Sequence, residues 1–255
     1  MTYIGVIDSG VGGLTVLKEI KRRFPHYPTL YFGDQAYCPY GDQEESMIRE
    51  RVSEMLRVIS EEPIKVLVVA CNTVASFLID ELKEKCPFPV ISILHPVMKS
   101  LNEGFYDQIG VIATTKTIDT GVHRSLLHPS KRMYPLACPT FVKAIEECAP
   151  EEVLYDEVSR ALYPLQTSPI QALVLGCTHF PIIAPVIQRV LGCHVDLIDP
   201  AKEMVGQLPP LLYQPEKRED MYITSGDPRL LEEHIYRLLG VRVNALTPKQ
   251  HDRQF

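Results

Sequence analysis

Residues 63–73 read Pro-Ile-Lys-Val-Leu-Val-Val-Ala-Cys-Asn-Thr, and residues 169–179 read Pro-Ile-Gln-Ala-Leu-Val-Leu-Gly-Cys-Thr-His. Laid over each other at an offset of 106, the two stretches share Pro63/Pro169, Ile64/Ile170, Leu67/Leu173, Val68/Val174 and Cys71/Cys177. Each is a short, nearly unbroken apolar run, the pattern of a strand buried on both faces of a parallel sheet. Each run stops at a cysteine followed by small polar residues, with a helical pattern beyond. Two thiols are therefore expected at the carboxyl ends of two equivalent strands, where open parallel sheets place their ligands.

A second echo supports the first. Residues 3–10, Tyr-Ile-Gly-Val-Ile-Asp-Ser-Gly, align at an offset of 105 with residues 108–115, Gln-Ile-Gly-Val-Ile-Ala-Thr-Thr. Four positions coincide: Ile4/Ile109, Gly5/Gly110, Val6/Val111 and Ile7/Ile112. The period is far too long for a solenoid. It predicts an α/β chain of two similar doubly wound, mostly parallel-sheet units with a site in the cleft between them. The first unit is expected to comprise 1–94 plus about 206–255, and the second 95–205.

Composition narrows the function classes. A chain of 255 residues can bury an ample core. The formal net charge is −6, with acids and bases interspersed and no basic stripe, which argues against nucleic acid as a main partner. No apolar run approaches ~18 residues, so no membrane span is expected. The N-terminus enters strand-like sequence at once, without the pattern of a signal peptide. The seven cysteines are odd in number and irregularly spaced, which predicts reduced thiols in the cytoplasm rather than a disulfide framework. Cys177-x-His179 and Cys193-His194 lack the paired ligands of a structural zinc site, so no metal is expected.

Taken in order, the first strand, 2–8, ends at Asp8-Ser9-Gly10-Val11-Gly12-Gly13 and leads into a helix over roughly 13–24. This loop is neither a dinucleotide fingerprint nor a P-loop. It predicts a turn whose backbone N–H groups and Asp8 face a small polar ligand. A strand over 29–33, a polar loop through Tyr40-Gly41 and a helix over 43–61 follow. Strand 64–70 reaches Cys71-Asn72-Thr73, a helix runs to about Lys85, and a strand over 89–93 ends at His95-Pro96. In the second half, strand 108–112 leads to Ala113-Thr114-Thr115-Lys116-Thr117 and a helix over about 118–127. Strand 132–137 ends at Cys138-Pro139. Helices carrying Glu146 and spanning about 151–163 come next, then strand 170–175, Cys177-Thr178-His179 and strand 194–198. The tail reads as a helix, a strand over 220–224, a helix over 228–239 and a terminal strand near 241–245.

Two thiols on opposite sides of a cleft can remove a proton from one face of a carbon and deliver another to the opposite face. That is two-sided acid–base catalysis and it suits inversion of a stereocentre. A free thiol titrates near ~8.5, and a helix N-terminus lowers that value. Ser9, Asn72, Thr73, Thr114, Thr117 and Thr178 supply polar arms for a small substrate. The bland readings stand beside these. A cysteine after an apolar run is most often a small buried residue, which is the reading for Cys38, Cys86, Cys138, Cys148 and Cys193. His179 reads equally well as a core histidine, Asp8 as a helix cap and Glu146 as a solvated acid.

Five motifs in order resemble the glutamate racemases of the aspartate/glutamate racemase superfamily. They are Asp8 through Gly13, Gly33-Asp34 with Pro39-Tyr40-Gly41, Cys71-Asn72-Thr73, Ala137-Cys138-Pro139 with Phe141-Val142 and Glu146, and Gly176 through Pro181. The resemblance implies interconversion of L- and D-glutamate for peptidoglycan, without pyridoxal phosphate or any other cofactor, in a homodimer. It implies that Cys71 handles the D-glutamate proton and Cys177 the L-glutamate proton. Asp8, His179 and Glu146 would assist them. Ser9, Pro39, Tyr40, Gly41, Asn72, Thr73, Thr114, Thr117 and Thr178 would hold the substrate together with Asp8 and His179. The chain departs from the family pattern at Val74, usually alanine, at Lys116 within a loop usually reading Gly-Thr-x-Gly-Thr, at His95 and at Pro200. These departures bear on rate, dimer geometry and substrate range. They keep two alternatives open, a racemase of aspartate or another small acidic amino acid, and a glutamate-binding protein with relaxed catalysis.

Overall fold

A computed structural model of the chain describes residues 2–208 and 218–251. The elements run β1 (Tyr3–Asp8), α1 (Gly13–Arg23), β2 (Thr29–Gly33), α2 (Glu45–Ile59), β3 (Ile64–Val69), α3 (Asn72–Lys85), β4 (Val90–Ser92) and α4 (Leu94–Glu103). The middle of the chain holds β5 (Gln108–Ala113), α5 (Thr115–Asp119), α6 (Val122–Leu126), β6 (Arg132–Ala137), α7 (Thr140–Glu146), α8 (Glu151–Gln166), β7 (Ala172–Gly176), α9 (Ala184–Leu191) and β8 (Asp196–Ile198). Then come α10 (Pro200–Val205), β9 (Met221–Thr224), α11 (Pro228–Leu239) and α12 (Pro248–His251). No helix among the described residues is long and apolar enough to cross a membrane.

Among the described residues the strands form two sheets in which every pairing is parallel. One has the order β4-β3-β1-β2-β9 and the other β6-β5-β7-β8. Read from the opposite edge, the second sheet is β8-β7-β5-β6, the same arrangement as β4-β3-β1-β2. The repeat at 105–106 residues is thus a repeat of position: β1 matches β5, and β3 matches β7. β9 is the extra strand, and it carries the tail back to pair with β2 of the first sheet. α10 also packs into the first core, through Ala201, Met204 and Val205.

Burial explains why these runs are strands. Val66, Leu67, Val68 and Val69 are fully buried, while Lys65 is exposed at the strand's start. Burying each such side chain is worth roughly 1.5–3 kcal/mol, so a register that drew Lys65 inward would be strongly disfavoured.

Several local expectations need correcting. The helix expected over 118–127 is two short helices, because Gly121 adopts a left-handed φ of 65° between them. No terminal strand forms at 241–245; Leu246 makes one isolated bridge to Ile223, and α12 follows. His95-Pro96 is not the end of β4 but part of the first turn of α4. The stretch after Cys177 is a 3₁₀ turn, Phe180–Ile183, before α9 begins.

Candidate active site

The two repeated cysteines line one cavity. Cys71 stands at the N-cap of α3, immediately beyond β3, and Cys177 follows β7. The cavity has an empty volume of about 260 Å³, lined by Ser9, Pro39, Tyr40, Gly41, Cys71, Asn72, Thr73, Thr114, Val142, Cys177, Thr178 and His179. Its walls nearly fill it, leaving room for about one water molecule.

Parallel pairing of β1 with β3, whose register ends with Ile7 opposite Val69, brings the carboxylate of Asp8 close enough to act on Cys71. Cys71 Sγ lies 3.6 Å from Ser9 Oγ. The thiol is not acidified by its position. Burial and the negative charge of Asp8 outweigh the Val74 N–H at the helix start and push Cys71 up to about 12. Asp8 is fully buried, and burial raises its carboxyl to about 6 against the opposing pull of His179 and two backbone N–H groups.

Those N–H groups correct one expectation. Three of the glycine-rich loop's N–H groups are taken up inside the protein rather than left for a ligand. The N–H groups of Gly10 and Gly13 donate to Asp8 Oδ2 at 3.1 and 2.9 Å, and that of Val11 donates to Glu146 Oε1 at 3.3 Å. Asp8 therefore does serve the start of α1, from outside the helix. The glycines meet a different demand, close approach of the second half. A Cβ on Gly12 would stand 2.4 Å from His179 Nδ1, and one on Gly10 would stand 2.7 Å from Glu146 Oε1. Thr178 and Thr15 complete the seam: Thr178 Oγ1 donates to Asp8 Oδ1 at 3.2 Å, and Thr15 Oγ1 donates to the Thr178 carbonyl at 3.0 Å.

The Cys177 side is built differently. His179 is buried, with Nδ1 3.8 Å from Cys177 Sγ and Nε2 2.6 Å from Glu146 Oε1. Burial alone would lower the imidazole. Its hydrogen bonds with Cys177, Cys38 and Glu146 prevail and hold it well above the ordinary histidine range. Burial pulls Glu146 the other way, yet its bond to His179 holds the carboxyl below its usual value. The two directions agree on a carboxylate–imidazolium pair. Glu146 is thus no solvated acid, and His179 is no idle core residue.

Three expected site residues sit behind the cavity wall rather than on it: Asp8, Glu146 and Thr117. Thr117 backs a hydroxyl cluster across the cleft, with Thr73–Thr114 at 3.0 Å, Thr114–Thr117 at 2.9 Å and Thr73–Thr117 at 3.2 Å. Asn72 is buried, and neither its amide nitrogen nor its oxygen has a hydrogen-bond partner among the described residues. A buried amide left open at both ends is a ready contact for a ligand with donors and acceptors of its own. Lys116, α5's departure from the family loop, is half-buried outside the lining.

Sequence reasoning missed two contributors. Cys38 Sγ lies 3.6 Å from Glu146 Oε1 and belongs with the His179 cluster. Asp34, fully buried, receives the Tyr40 hydroxyl and a two-pronged ion pair from Arg51 at 3.0 and 2.8 Å, which fixes Tyr40 on the cavity wall. Arg51 sits in α2 among alternating charges and carries no sequence signal. Cys38 adjoins Pro39 in the loop already singled out, and that adjacency was the available clue.

Two parallel α/β units, paired in topology, face one polar cavity across a shared seam, and a cysteine from each lines it. The sequence model of Asp/Glu/Hydantoin racemases matches residues 4–208, and the chain belongs to that family. Over 249 residues it is 36% identical to a glutamate racemase of Bacillus cereus, with 93% of each chain covered. Its fold superposes on a glutamate racemase isoform of Bacillus anthracis with a TM-score of 0.89 at 33% identity, covering 96% of each chain. A Francisella tularensis glutamate racemase solved in complex with D-glutamate gives 0.87 at 28% identity, again over 96% of each chain.

Proposed function

We propose that this chain interconverts L- and D-glutamate by two-sided proton transfer at the α-carbon, with Cys71 and Cys177 as the paired acid and base. The observation that carries the reading is positional. Two thiols end strands that occupy the same place in two repeated sheets, and both line one cavity. Glutamate as substrate rests on the relatives that bear that name. In the D-to-L direction Cys71 takes the α-proton and Cys177 delivers the other; the reverse direction exchanges the roles. Asp8 receives the proton that activates Cys71, and the Glu146–His179 pair serves Cys177. The raised Cys71 thiol is not reactive as it stands. A substrate ammonium group beside Asp8 and Cys71 would offset the negative charge of Asp8 and draw the thiol downward. Asn72, Thr73, Thr114, Thr178 and Ser9 hold the two carboxylates and the ammonium group. The cavity, nearly filled by its own walls, must widen to admit an amino acid.

No cofactor takes part in this reading, and the product is D-glutamate for peptidoglycan, made in the cytoplasm by a homodimer. The two units are taken as 1–94 with about 206–255, and 95–205, with α10 at the end of the second packing into the first core.

The test is circular dichroism of purified protein with D-glutamate in deuterated buffer without pyridoxal phosphate, followed by mass analysis. The expected result is decay of the optical signal with one deuterium entering the α position. Single Cys71→Ala and Cys177→Ala variants should each lose racemisation. Full racemisation by either variant would overturn the two-thiol assignment, and turnover of aspartate in place of glutamate would overturn the substrate.

A further inference from the structure

Cys38, Glu146 and His179 bring a thiol, a carboxylate and an imidazole together, with one potential ligand atom from each lying within 4.8 Å of the others. They come from three separate segments: the loop after β2, the end of α7 and the turn after β7. We propose that this cluster is an inhibitory site for a borderline-soft divalent cation of the zinc type.

The geometry is close to what such an ion needs. Tetrahedral zinc holds sulfur at about 2.3 Å and nitrogen or oxygen at about 2.0–2.2 Å, which places sulfur about 3.6 Å from oxygen and nitrogen about 3.4 Å from oxygen. Cys38 Sγ and Glu146 Oε1 already stand 3.6 Å apart. His179 Nε2 and Glu146 Oε1 stand 2.6 Å apart, around a shared proton, and must open by about 0.8 Å. Three protein ligands of mixed S, N and O type leave a fourth position for water, the pattern of an open zinc site. The donor set favours zinc or cobalt over magnesium or calcium, which prefer oxygen. Of Glu146 and His179, Glu146 is the outer ligand, its side chain 21% exposed against 1% for His179.

Binding is an exchange of cation for protons. The ion replaces the Cys38 thiol proton and the proton shared by Glu146 and His179, and both are released to solvent. His179 is then fixed through Nε2 and keeps a proton only on Nδ1, the nitrogen facing Cys177. The imidazole can no longer gain and lose a proton, so Cys177 loses its proton partner. Binding itself rests on geometry alone; only its effect on rate rests on the racemase reading.

Cobalt is the probe. Full-length protein titrated with Co²⁺ should develop one equivalent of tetrahedral visible absorption and a thiolate-to-cobalt band in the near ultraviolet, both removed by Zn²⁺ or a chelator. The band should persist in the Cys71→Ala/Cys177→Ala double variant and vanish in Cys38→Ala. Zn²⁺ should inhibit racemisation reversibly, and Cys38→Ser should weaken that inhibition at least tenfold relative to its own metal-free rate. Near-ultraviolet circular dichroism checks that both Cys38 variants fold. A missing band, or one that survives Cys38→Ala, would overturn the site. A band that depends on Cys38 without loss of rate would overturn the inhibition and leave the site standing.

Discussion

His179 Nε2 and Glu146 Oε1 stand 2.6 Å apart, joining the turn after β7 to the end of α7, while the opposite ring nitrogen of His179 faces Cys177. The carboxylate holds the imidazole charged and oriented for that thiol. Glu146→Gln keeps the shape and removes the charge. Loss of one positioned acid–base partner lowers rates by about 10²-fold. Enantiomers have equal free energies, so kcat/KM must fall by one common factor in both directions. The discriminating measurement is exchange of the α-hydrogen with deuterated solvent. Exchange into L-glutamate, the Cys177 side, should slow with the variant, while exchange into D-glutamate through Cys71 should be spared.

Asp8 supplies the counterpart on the other side. With burial raising its carboxyl to about 6, it is ionised above that pH and able to accept the Cys71 proton. Below it, Asp8 is protonated and Cys71 has no acceptor. The profile of kcat/KM against pH should therefore show an acid limb near 6. Asp8→Asn retains an oxygen for the Gly10 and Gly13 N–H groups but cannot take a proton. Its residual activity should lack that limb and fall by about 10²-fold. A limb of unchanged position in Asp8→Asn would assign the titration to another group.

Much of this architecture was legible because it repeats. The echo of Cys71 with Cys177 and of Ile4–Ile7 with Ile109–Ile112 located both central strands of both sheets. Hydrophobic continuity also marked those strands as buried on two faces. The failures were of a different kind. Gly12 looked like backbone freed for a ligand, but the space above it is filled by His179, which is 167 positions away in sequence. Glu146 looked solvated because that is the default for a lone acid on a helix, and only tertiary packing sets it against His179 and Val11. Gly121 broke a helix whose periodicity otherwise ran on, because one left-handed residue reverses the chain without altering the apolar pattern.

Asn72 carries a cost that binding would repay. A buried polar group without a partner destabilises the fold by about 1–3 kcal/mol. Both ends of its amide are open and buried. Asn72→Ala removes the unpaired amide at the first residue of α3, where alanine is a good helix former. The variant should be more stable by about 1 kcal/mol, melting about 2–4 °C higher by calorimetry. Its KM for glutamate should rise about tenfold or more, as expected when a ligand loses a hydrogen-bonding partner. A lower melting temperature would mean that the amide is satisfied in the folded protein.

His123 should make the fold sensitive to acid. It is buried in α6 with Nε2 unpaired among the described residues, and burial pulls its imidazole down to about 4 from the ordinary 6.5. The unfolded chain takes up a proton as pH falls through 6.5, whereas the folded chain does not until about 4. The stability due to this group is therefore complete above 6.5 and is lost progressively between 6.5 and 4. Linkage puts the loss between neutral pH and about pH 5 at about 2 kcal/mol. His123→Leu removes the titration and the unpaired nitrogen together. Urea midpoints measured at both pH values should differ for the parent protein by more than they do for the variant, after the shared contribution of the carboxylates cancels. Equal differences would show that His123 is protonated or partnered in the folded state.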